Sequence, residues 1–239
     1  MEHVIVIKIG GVSSQHLSQE FIQQIKQWKA ENKQVVIVHG GGFAINQLME
    51  EEHVPITKKN GLRVTRQSDM KLVSYALLKI VGANLVKKLN QSSLDSVQLL
   101  SNMPKVVQAD FLDKATYGYV GNVSHIETEI LEQMLPVLAS ISFSKDGKML
   151  NINADYLATA IAVALGAEKL VLMTDVKGVL ENGAVLDHLS STDFQEKIDK
   201  GVITGGMIPK IESAVKTVLA GVGEVLIGDN LRAGTSIVC

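Results

Sequence analysis

Short apolar runs and longer amphipathic stretches follow one another along this chain. The run from Val4 to Ile9 is apolar apart from Lys8 and leads into Gly10-Gly11. This pattern predicts a buried strand that stops at a tight turn. The apolar positions from Phe21 to Trp28 then share one face while Gln, Lys and Glu fill the other. That spacing predicts an amphipathic helix ending near Asn32.

The same succession is repeated in the next segment. Val35 to Val38 predicts a second buried strand, which runs into the glycine-rich turn His39-Gly40-Gly41-Gly42, and helical spacing resumes from Phe43 to Glu51. Strand, helix, strand, glycine turn and helix is the order found in βαβ units, whose ligands bind beyond the carboxyl ends of parallel strands. The sequence therefore predicts an α/β fold with functional residues in these turns.

The rest of the chain continues the alternation. Helical periodicity predicts helices over 68–89, 127–134, 154–165 and 207–219, and Thr192 and Gln195 have capping-box spacing for a helix ending near Lys200. Apolar runs predict strands over 137–143, 149–152, 168–173, 224–227 and 235–238. The segment 55–64 is predicted to be extended or a hairpin, and turn residues between short β-prone runs favour a hairpin over 97–123. No linker interrupts the pattern, so we expect one domain, 1–239, with packed lobes of about 1–150 and 151–239.

Composition excludes several classes of protein. Of the 239 residues, 46% are hydrophobic and 20% charged, with a formal net charge of -2, so no positive field is present to attract nucleic acid or an anionic membrane. The single cysteine, Cys239, excludes an internal disulfide framework, and the six histidines lack the spacing of a zinc site. With no signal-peptide pattern and no apolar run of transmembrane length, we expect a cytoplasmic protein.

Three features of the first half suggest anion binding. Lys8 lies among apolar residues just before Gly10-Gly11. It is either a phosphate-binding lysine or an edge-strand lysine that reaches solvent, and position alone does not favour one of the two. His39-Gly40-Gly41-Gly42 joins a strand to a helix, where exposed amides favour a carboxylate or phosphate, although three glycines can also form a simple turn. Arg63, beside the turn at Asn60-Gly61, suits a carboxylate but could equally be an exposed hairpin arginine.

The second half carries further polar candidates. Asn151 and Asn153 alternate on an extended stretch and Asp155 begins the next helix, more polar groups than N-capping alone requires. Lys210 lies in a first helical turn after Gly205-Gly206, where a cation opposes the helix dipole; it is either a phosphate ligand or a solvated lysine. Asp175 follows a buried strand and could hold a nucleotide hydroxyl or a metal-bound water, or simply form a turn.

Six motifs occur in order along nearly the whole chain: Lys8-Ile9-Gly10-Gly11, Val38-His39-Gly40-Gly41-Gly42, Asn60-Gly61-Leu62-Arg63-Val64-Thr65, Asn151-Ile152-Asn153-Ala154-Asp155, Leu172-Met173-Thr174-Asp175-Val176-Lys177-Gly178-Val179 and Gly206-Met207-Ile208-Pro209-Lys210. Together they resemble the acetylglutamate kinases of the amino acid kinase superfamily. The resemblance implies a three-layer αβα sandwich around a mainly parallel eight-stranded sheet. It also implies an ATP-dependent kinase of arginine biosynthesis that acts on the side-chain carboxylate of N-acetyl-L-glutamate.

The resemblance implies a role for each matching residue. Lys8 and Lys210 would stabilise the transferring phosphoryl group and Asp155 would orient both lysines. The amino-acid substrate would be held in the N-terminal lobe by Gly41, Gly42, Arg63, Asn151 and Asn153. ATP, with Mg²⁺ held largely by phosphate oxygens and water, would be bound by Gly10, Gly11, Thr174, Asp175, Gly178, Gly206 and Met207. No protein metal ligand is expected.

Two features differ from relatives in this superfamily. Where the acetylglutamate kinases often carry a Gly-x-Asp-Gly turn, this chain has Ser101-Asn102-Met103-Pro104-Lys105. Only seven residues precede Lys8, and the resemblance then implies a homodimer, formed through 68–89, that arginine does not inhibit. Two other activities stay open: a related kinase acting on an aminoadipate derivative or carbamate, and a non-catalytic nucleotide-binding protein of the same fold.

Overall fold

The computed structural model describes residues 3–10, 14, 17–100, 103–132 and 134–239. In the first half the elements are β1 (Val4–Ile9), α1 (Gln19–Ala30), β2 (Gln34–His39), α2 (Gly42–Glu51), β3 (Lys58–Lys59), β4 (Leu62–Arg63), α3 (Met70–Tyr75), a π-helical segment (Ala76–Gly82), α4 (Ala83–Gln91), β5 (Ser96–Gln98), α5 (Met103–Val106), β6 (Val107–Phe111), α6 (Lys114–Tyr117) and β7 (Val120–Ile126).

The second half continues the alternation of strands and helices. Its elements are a 3₁₀ turn (Glu129–Glu132), β8 (Leu135–Ala139), β9 (Ile141–Phe143), β10 (Met149–Ile152), α7 (Ala154–Ala164), β11 (Lys169–Met173), β12 (Leu180–Glu181), β13 (Ala184–Val185), β14 (His188–Ser190), α8 (Phe194–Asp199), α9 (Met207–Leu219), β15 (Glu224–Gly228) and β16 (Thr235–Val238).

An eight-stranded sheet forms the centre of the molecule, in the order β14-β16-β15-β11-β1-β2-β8-β5. All neighbouring strands are parallel except β15 and β16, which are antiparallel. The predicted mainly parallel eight-stranded sheet is therefore confirmed. Because β1 and β2 lie in its middle, their carboxyl ends and the turns that follow them meet at one edge.

Helices cover both faces of the sheet, which confirms the three-layer arrangement. Side chains alternate along β1, so Val4 and Val6 pack in the cluster that contains α7 and α9, while Ile5, Ile7 and Ile9 pack in the cluster that contains α1 and α4. Lys8 follows Val4 and Val6 in this alternation. The strand therefore directs its side chain towards the face covered by α7.

A second, smaller sheet closes into a four-stranded barrel in the order β10-β7-β6-β9. The hairpin predicted over 97–123 corresponds to the antiparallel pair β6 and β7, but β5 joins the edge of the central sheet instead. The strand predicted over 137–143 is broken at Ser140 into β8 and β9, which belong to different sheets. A run of apolar residues does not show which sheet each half enters.

Two predicted helical features are wrong. Over 127–134 the described residues form only the 3₁₀ turn. Helix α8 is preceded by Asp193 at the N-cap without a side-chain cap, so the capping box of Thr192 and Gln195 does not form. Thr192 donates its hydroxyl to Asp193 instead. No helix among the described residues has the length and apolar character needed to span a bilayer.

Candidate active site

Lys8 is held by an ion pair at the carboxyl end of β1. Its Nζ lies 2.9 Å from Asp155 Oδ1 at the start of α7, and it donates a hydrogen bond of 3.3 Å to the carbonyl oxygen of Met173 at the end of β11. Only 13% of the Lys8 side chain is exposed. Because β1 lies in the centre of the sheet, Lys8 is not an edge-strand lysine, and its binding of an anion stays a prediction.

Helix α7 begins in a way that places Asp155 opposite Lys8. Asn153 is the N-cap, and its Oδ1 accepts hydrogen bonds from the backbone amides of Asp155 and Tyr156 at 2.8 and 3.2 Å. A carboxylate in the first turn is also favoured by the helix dipole. Asn153 therefore sets the position at which Asp155 meets the lysine.

The glycine at position 10 is required by the path of the Lys8 side chain. A Cβ added there would lie 2.8 Å from Lys8 Nζ and 3.3 Å from the Met173 carbonyl oxygen. Both distances are shorter than ordinary contacts. Any larger residue at this position would push the ammonium group away from its two partners.

The second lysine has a different anchor. Lys210, in the first turn of α9, donates a hydrogen bond of 3.1 Å to Thr174 Oγ1, and the Thr174 hydroxyl donates one of 3.0 Å to Asp175 Oδ1. The pKa of Asp175 is lowered by the hydrogen bond from Thr174, by a backbone hydrogen bond and by the positive charges of Lys210 and Lys8. Thr174, Asp175, Lys210 and Lys8 thus belong to one electrostatic cluster.

Asp155 does not touch both lysines in this structure. It contacts Lys8, whereas the polar partner of Lys210 among the described residues is Thr174. The orientation of both lysines by Asp155 therefore stays a prediction for the ligand-bound protein.

Two cavities adjoin at this edge of the sheet. One, of about 180 Å³, is lined by Lys8, Gly10 and Asp155, and the other, of about 200 Å³, is lined by Arg63 and Asn151. They share five lining residues: Gly40, Gly41, Gly42, Asn153 and Ala154. All five substrate-binding residues predicted from the resemblance line the cavity that contains Arg63. The glycine turn 40–42 separates a ligand bound there from the cavity that contains Lys8.

The glycine turn is shaped by the helix behind it. A Cβ on Gly41 would lie 2.7 Å from Leu77 Cδ2, in the π-helical segment. Gly42 has no atom near the position of an added Cβ and opens α2. The absence of side chains leaves backbone amides at the N-terminus of α2 facing the cavity, where they can donate to an anion.

Arg63 projects from β4 into the cavity. Its guanidinium donates to Met49 Sδ at 3.3 Å, to the Gly42 carbonyl oxygen at 3.4 Å and to Asn46 Oδ1 in a short contact. Partial burial lowers the pKa of Arg63, while the negative charge of Asp69 acts in the opposite direction. None of these three partners carries a charge, so Arg63 keeps a positive charge for a carboxylate ligand.

The other residues predicted to bind the nucleotide do not line either of these two cavities. Thr174 and Asp175 follow β11, while Gly206 caps α9 and Met207 begins it. Gly178 has a φ of 145° and packs against Thr235, which is a structural reason for glycine at that position. Gly11 lies outside the described residues. A third cavity of about 330 Å³, between α1 and the loop 229–232, contains none of the predicted site residues.

Sequence reasoning missed several groups that the structure places at the site. Lys58 and Ser140 line the cavity that contains Arg63, and Thr65 accepts a hydrogen bond from Asn151. Lys58 and Ser140 carried no signal, because one is a lysine among other charged residues and the other lies within an apolar run. Thr65 belongs to the motif Asn60-Gly61-Leu62-Arg63-Val64-Thr65, but its role depends on a contact with a residue 86 positions away.

Known proteins resemble this chain over its whole length. The sequence profile described as the Amino acid kinase family matches residues 3–229. Acetylglutamate kinase of Streptococcus mutans serotype c is 64% identical over 242 residues, covering 99% of both chains. Acetylglutamate kinase of Streptococcus sanguinis is 57% identical, again with 99% of both chains covered.

A solved structure agrees with these matches. The crystal structure of smu.665 from Streptococcus mutans UA159 superposes with a TM-score of 0.93 at 63% identity, covering 100% of this chain and 99% of the other. The chain belongs to the amino acid kinase family and, within it, to the acetylglutamate kinases.

Proposed function

We propose that this protein transfers the γ-phosphoryl group of ATP to the side-chain carboxylate of N-acetyl-L-glutamate, giving N-acetyl-L-glutamyl 5-phosphate and ADP in arginine biosynthesis. One observation carries the proposal. The cavity that contains Arg63 and the cavity that contains Lys8 share the glycine turn 40–42. A carboxylate in the first cavity can therefore face a phosphoryl group in the second.

The amino-acid substrate is assigned to the cavity lined by Gly41, Gly42, Arg63, Asn151 and Asn153. The guanidinium of Arg63 supplies a forked pair of donors that matches a carboxylate. Its uncharged protein partners leave that charge for the ligand. The other carboxylate of the substrate is then the one that approaches the glycine turn.

The phosphoryl group is assigned to the space between Lys8 and Lys210. Charge on the equatorial oxygens in the transition state is spread over the whole group, and positive side chains held in advance stabilise it. The ion pair with Asp155 fixes Lys8, and Thr174 fixes Lys210. A carboxylate nucleophile, with an ordinary pKa of about 4.3, is already ionised near neutral pH, so the reaction needs no general base.

The nucleotide is assigned to Gly10, Gly11, Thr174, Asp175, Gly178, Gly206 and Met207. The N-terminus of α9 directs amide groups towards the phosphates, beside Lys210. Mg²⁺ bound to ATP would neutralise phosphate charge, held mainly by phosphate oxygens and water. The chemistry of the site fits this ion, because the carboxylate of Asp175, with its lowered pKa, lies beside the lysines and can accept from metal-bound water.

We also propose a cytoplasmic homodimer. Exposed aromatic side chains on the N-terminal lobe support dimerisation: Phe43 on α2 is 54% exposed and Tyr75 on α3 is 55% exposed. Two-fold dimers are the commonest closed homo-oligomers of soluble proteins. The use of ATP and the single cysteine suit the cytoplasm. Light scattering with purified protein measures the assembly, and a monomeric mass would contradict it.

A coupled assay of ADP release tests the proposed activity. The substrate panel is N-acetyl-L-glutamate, N-acetyl-L-aspartate, L-glutamate, N-acetyl-L-2-aminoadipate and carbamate, each with ATP and Mg²⁺. We expect N-acetyl-L-glutamate to give by far the highest kcat/KM. The Lys8→Ala, Lys210→Ala double variant, prepared identically, serves as the blank for contaminating kinases. Preference for another acceptor would overturn the substrate, and no turnover with any acceptor would overturn the activity.

A further inference from the structure

Thr65 lies behind the cavity that contains Arg63 and touches two of the groups that line it. Its side chain is fully buried. Asn151 Nδ2 donates a hydrogen bond of 3.0 Å to Thr65 Oγ1, and the Thr65 hydroxyl donates one of 3.3 Å to the carbonyl oxygen of Arg63. A single hydroxyl group therefore joins β10, which carries Asn151, to β4, which carries Arg63.

The direction of these two hydrogen bonds follows from their chemistry. The carbonyl oxygen of Arg63 can only accept, so the proton of the Thr65 hydroxyl is directed to it. Thr65 Oγ1 is then left with lone pairs and can only accept from Asn151. The NH₂ end of the Asn151 carboxamide must consequently face Thr65, and its oxygen must face away from Thr65.

The backbone around Thr65 holds this hydroxyl in place. The Thr65 amide donates to the carbonyl oxygen of Tyr117 at 3.0 Å, and the Tyr119 amide donates to the carbonyl oxygen of Thr65 at 2.6 Å. The Asn151 amide in turn donates to the carbonyl oxygen of Tyr119 at 2.9 Å. The backbones of Thr65 and Asn151 are thus both bonded to Tyr119, which explains why side chains 86 positions apart meet.

We infer that Thr65 is a positioning residue for the amino-acid substrate, because it sets which end of the Asn151 carboxamide is offered to the cavity. This inference rests on the proposed function. Asn151 lines the cavity, and its Oδ1 has no hydrogen-bond partner among the described residues. An unpaired acceptor at this place suits a donor on the substrate, and the N–H of an N-acylated amino acid is such a donor.

The main test removes the hydroxyl group and keeps the shape of the side chain. Thr65→Val is isosteric, retains the β-branch and leaves both backbone hydrogen bonds intact, so we expect it to fold. The Asn151 carboxamide then loses the hydroxyl acceptor that fixes its orientation, and it can rotate. We expect KM for N-acetyl-L-glutamate to rise about tenfold, the scale of one hydrogen bond, with KM for ATP unchanged. Thr65→Ser, which keeps the hydroxyl, should restore KM to within about twofold of the wild-type value.

A double-mutant cycle separates positioning from a merely structural role. If Thr65 acts through Asn151, Thr65→Val should add almost nothing to the rise in KM already caused by Asn151→Ala. If Thr65 only supports the fold, the two effects will multiply and KM for ATP will rise as well. Either that result, or an unchanged KM in Thr65→Val, would overturn the inference.

Further measurements guard against two ambiguities. If Thr65→Val does not fold, Thr65→Ala gives the same comparison with Thr65→Ser, and melting temperatures identify variants that are only unstable. The wild-type enzyme is assayed first with N-acetyl-L-glutamate. If it is inactive, the proposed function fails, whereas an active wild type with an insensitive Thr65→Val contradicts the role of Thr65 alone.

Discussion

Lys8 Nζ lies 2.9 Å from Asp155 Oδ1, and this ion pair joins the end of β1 to the start of α7. Both residues line the same cavity. The pair is partly buried, so an uncompensated charge would be costly if either partner were removed. Lys210 depends on Thr174 instead. In this structure the two cations are therefore held by different partners.

Removing either lysine should affect turnover more than binding. We expect Lys8→Ala and Lys210→Ala each to lower kcat by about a hundredfold or more, the scale of losing one donor to transition-state charge, with smaller effects on KM. Steady-state kinetics with both substrates varied measure this. Near-normal turnover in both variants would contradict their assignment.

Two other lysines, one on β11 beside β1 and one on α9, provide controls. Lys169 lies in β11 and pairs with Glu224 at 3.1 Å, away from both cavities, and Lys216 is an exposed lysine in the last turn of α9. Alanine at either position should leave kcat within about twofold, because neither lysine lines the cavity that contains Lys8 or the cavity that contains Arg63. The Lys169 pair is partly buried, so Lys169→Ala also shows how much a loss of stability alone changes the rate. A large loss in either control would mean that charge or stability in general, and not the site, controls the rate.

A methyl group at position 10 should disturb Lys8 without removing it. Because an added Cβ would lie 2.8 Å from Lys8 Nζ, Gly10→Ala should displace the ammonium from Asp155 and lower kcat by about tenfold or more. Gly147 has open space around it but a φ of 72°, so Gly147→Ala strains the backbone at a position that lines neither cavity and should leave kcat unchanged. Full activity in Gly10→Ala would show that Lys8 can adopt another productive position.

Much of this fold could be predicted from apolar periodicity, because the central strands are continuous apolar runs and the helices have clear faces. The alternation in β1 also places Lys8 on the side of Val4 and Val6. The side of the sheet to which Lys8 points can therefore be predicted from the sequence. Periodicity could not show that the run across Ser140 divides between two sheets. That division depends on tertiary pairing rather than local preference.

The site divides in the same way. Lys8, Arg63, Asn151 and Asp155 stood out because each is polar or charged beside an apolar or glycine-rich segment. Contacts between distant residues could not be predicted, such as Thr65 with Asn151 or the packing of Leu77 on Gly41. The π-helical segment that presents Leu77 is itself a departure from regular helix, and the sequence 76–82 contains no proline that would mark it.

Arg63→Lys should weaken the amino-acid substrate selectively. Lysine keeps the positive charge but cannot form two parallel hydrogen bonds to one carboxylate. We expect KM for N-acetyl-L-glutamate to rise about tenfold or more before KM for ATP changes. Arg66→Lys is the matched control, since Arg66 is 56% exposed and pairs with Asp69. If Arg63→Lys raised only KM for ATP, the two substrates would have been assigned to the wrong cavities.

His39 should make the stability of the protein depend on pH. Its side chain is fully buried at the end of β2, its Nδ1 lies 3.0 Å from the carbonyl oxygen of Gly40, and its Nε2 has no partner among the described residues. Because the Gly40 oxygen can only accept, the neutral ring carries its proton on Nδ1. Burial disfavours the charged ring and lowers the pKa of His39 from 6.5 to about 4.

The sign of the effect follows from that difference in pKa. Below pH 6.5 the unfolded chain binds a proton that folded His39 does not bind, so the contribution of His39 is complete above pH 6.5 and is lost as pH falls towards 4. Between pH 6.5 and about pH 5 the free energy of unfolding should fall by about 2 kcal/mol through this group.

Urea unfolding of wild type and His39→Asn across this range measures the difference. The Asn variant keeps an amide donor near Nδ1 but does not titrate, so its stability should fall less steeply. His188→Asn replaces an exposed histidine in β14 and should keep the wild-type dependence of the free energy of unfolding on pH. If wild type and His39→Asn show the same dependence, His39 binds a proton in the folded protein.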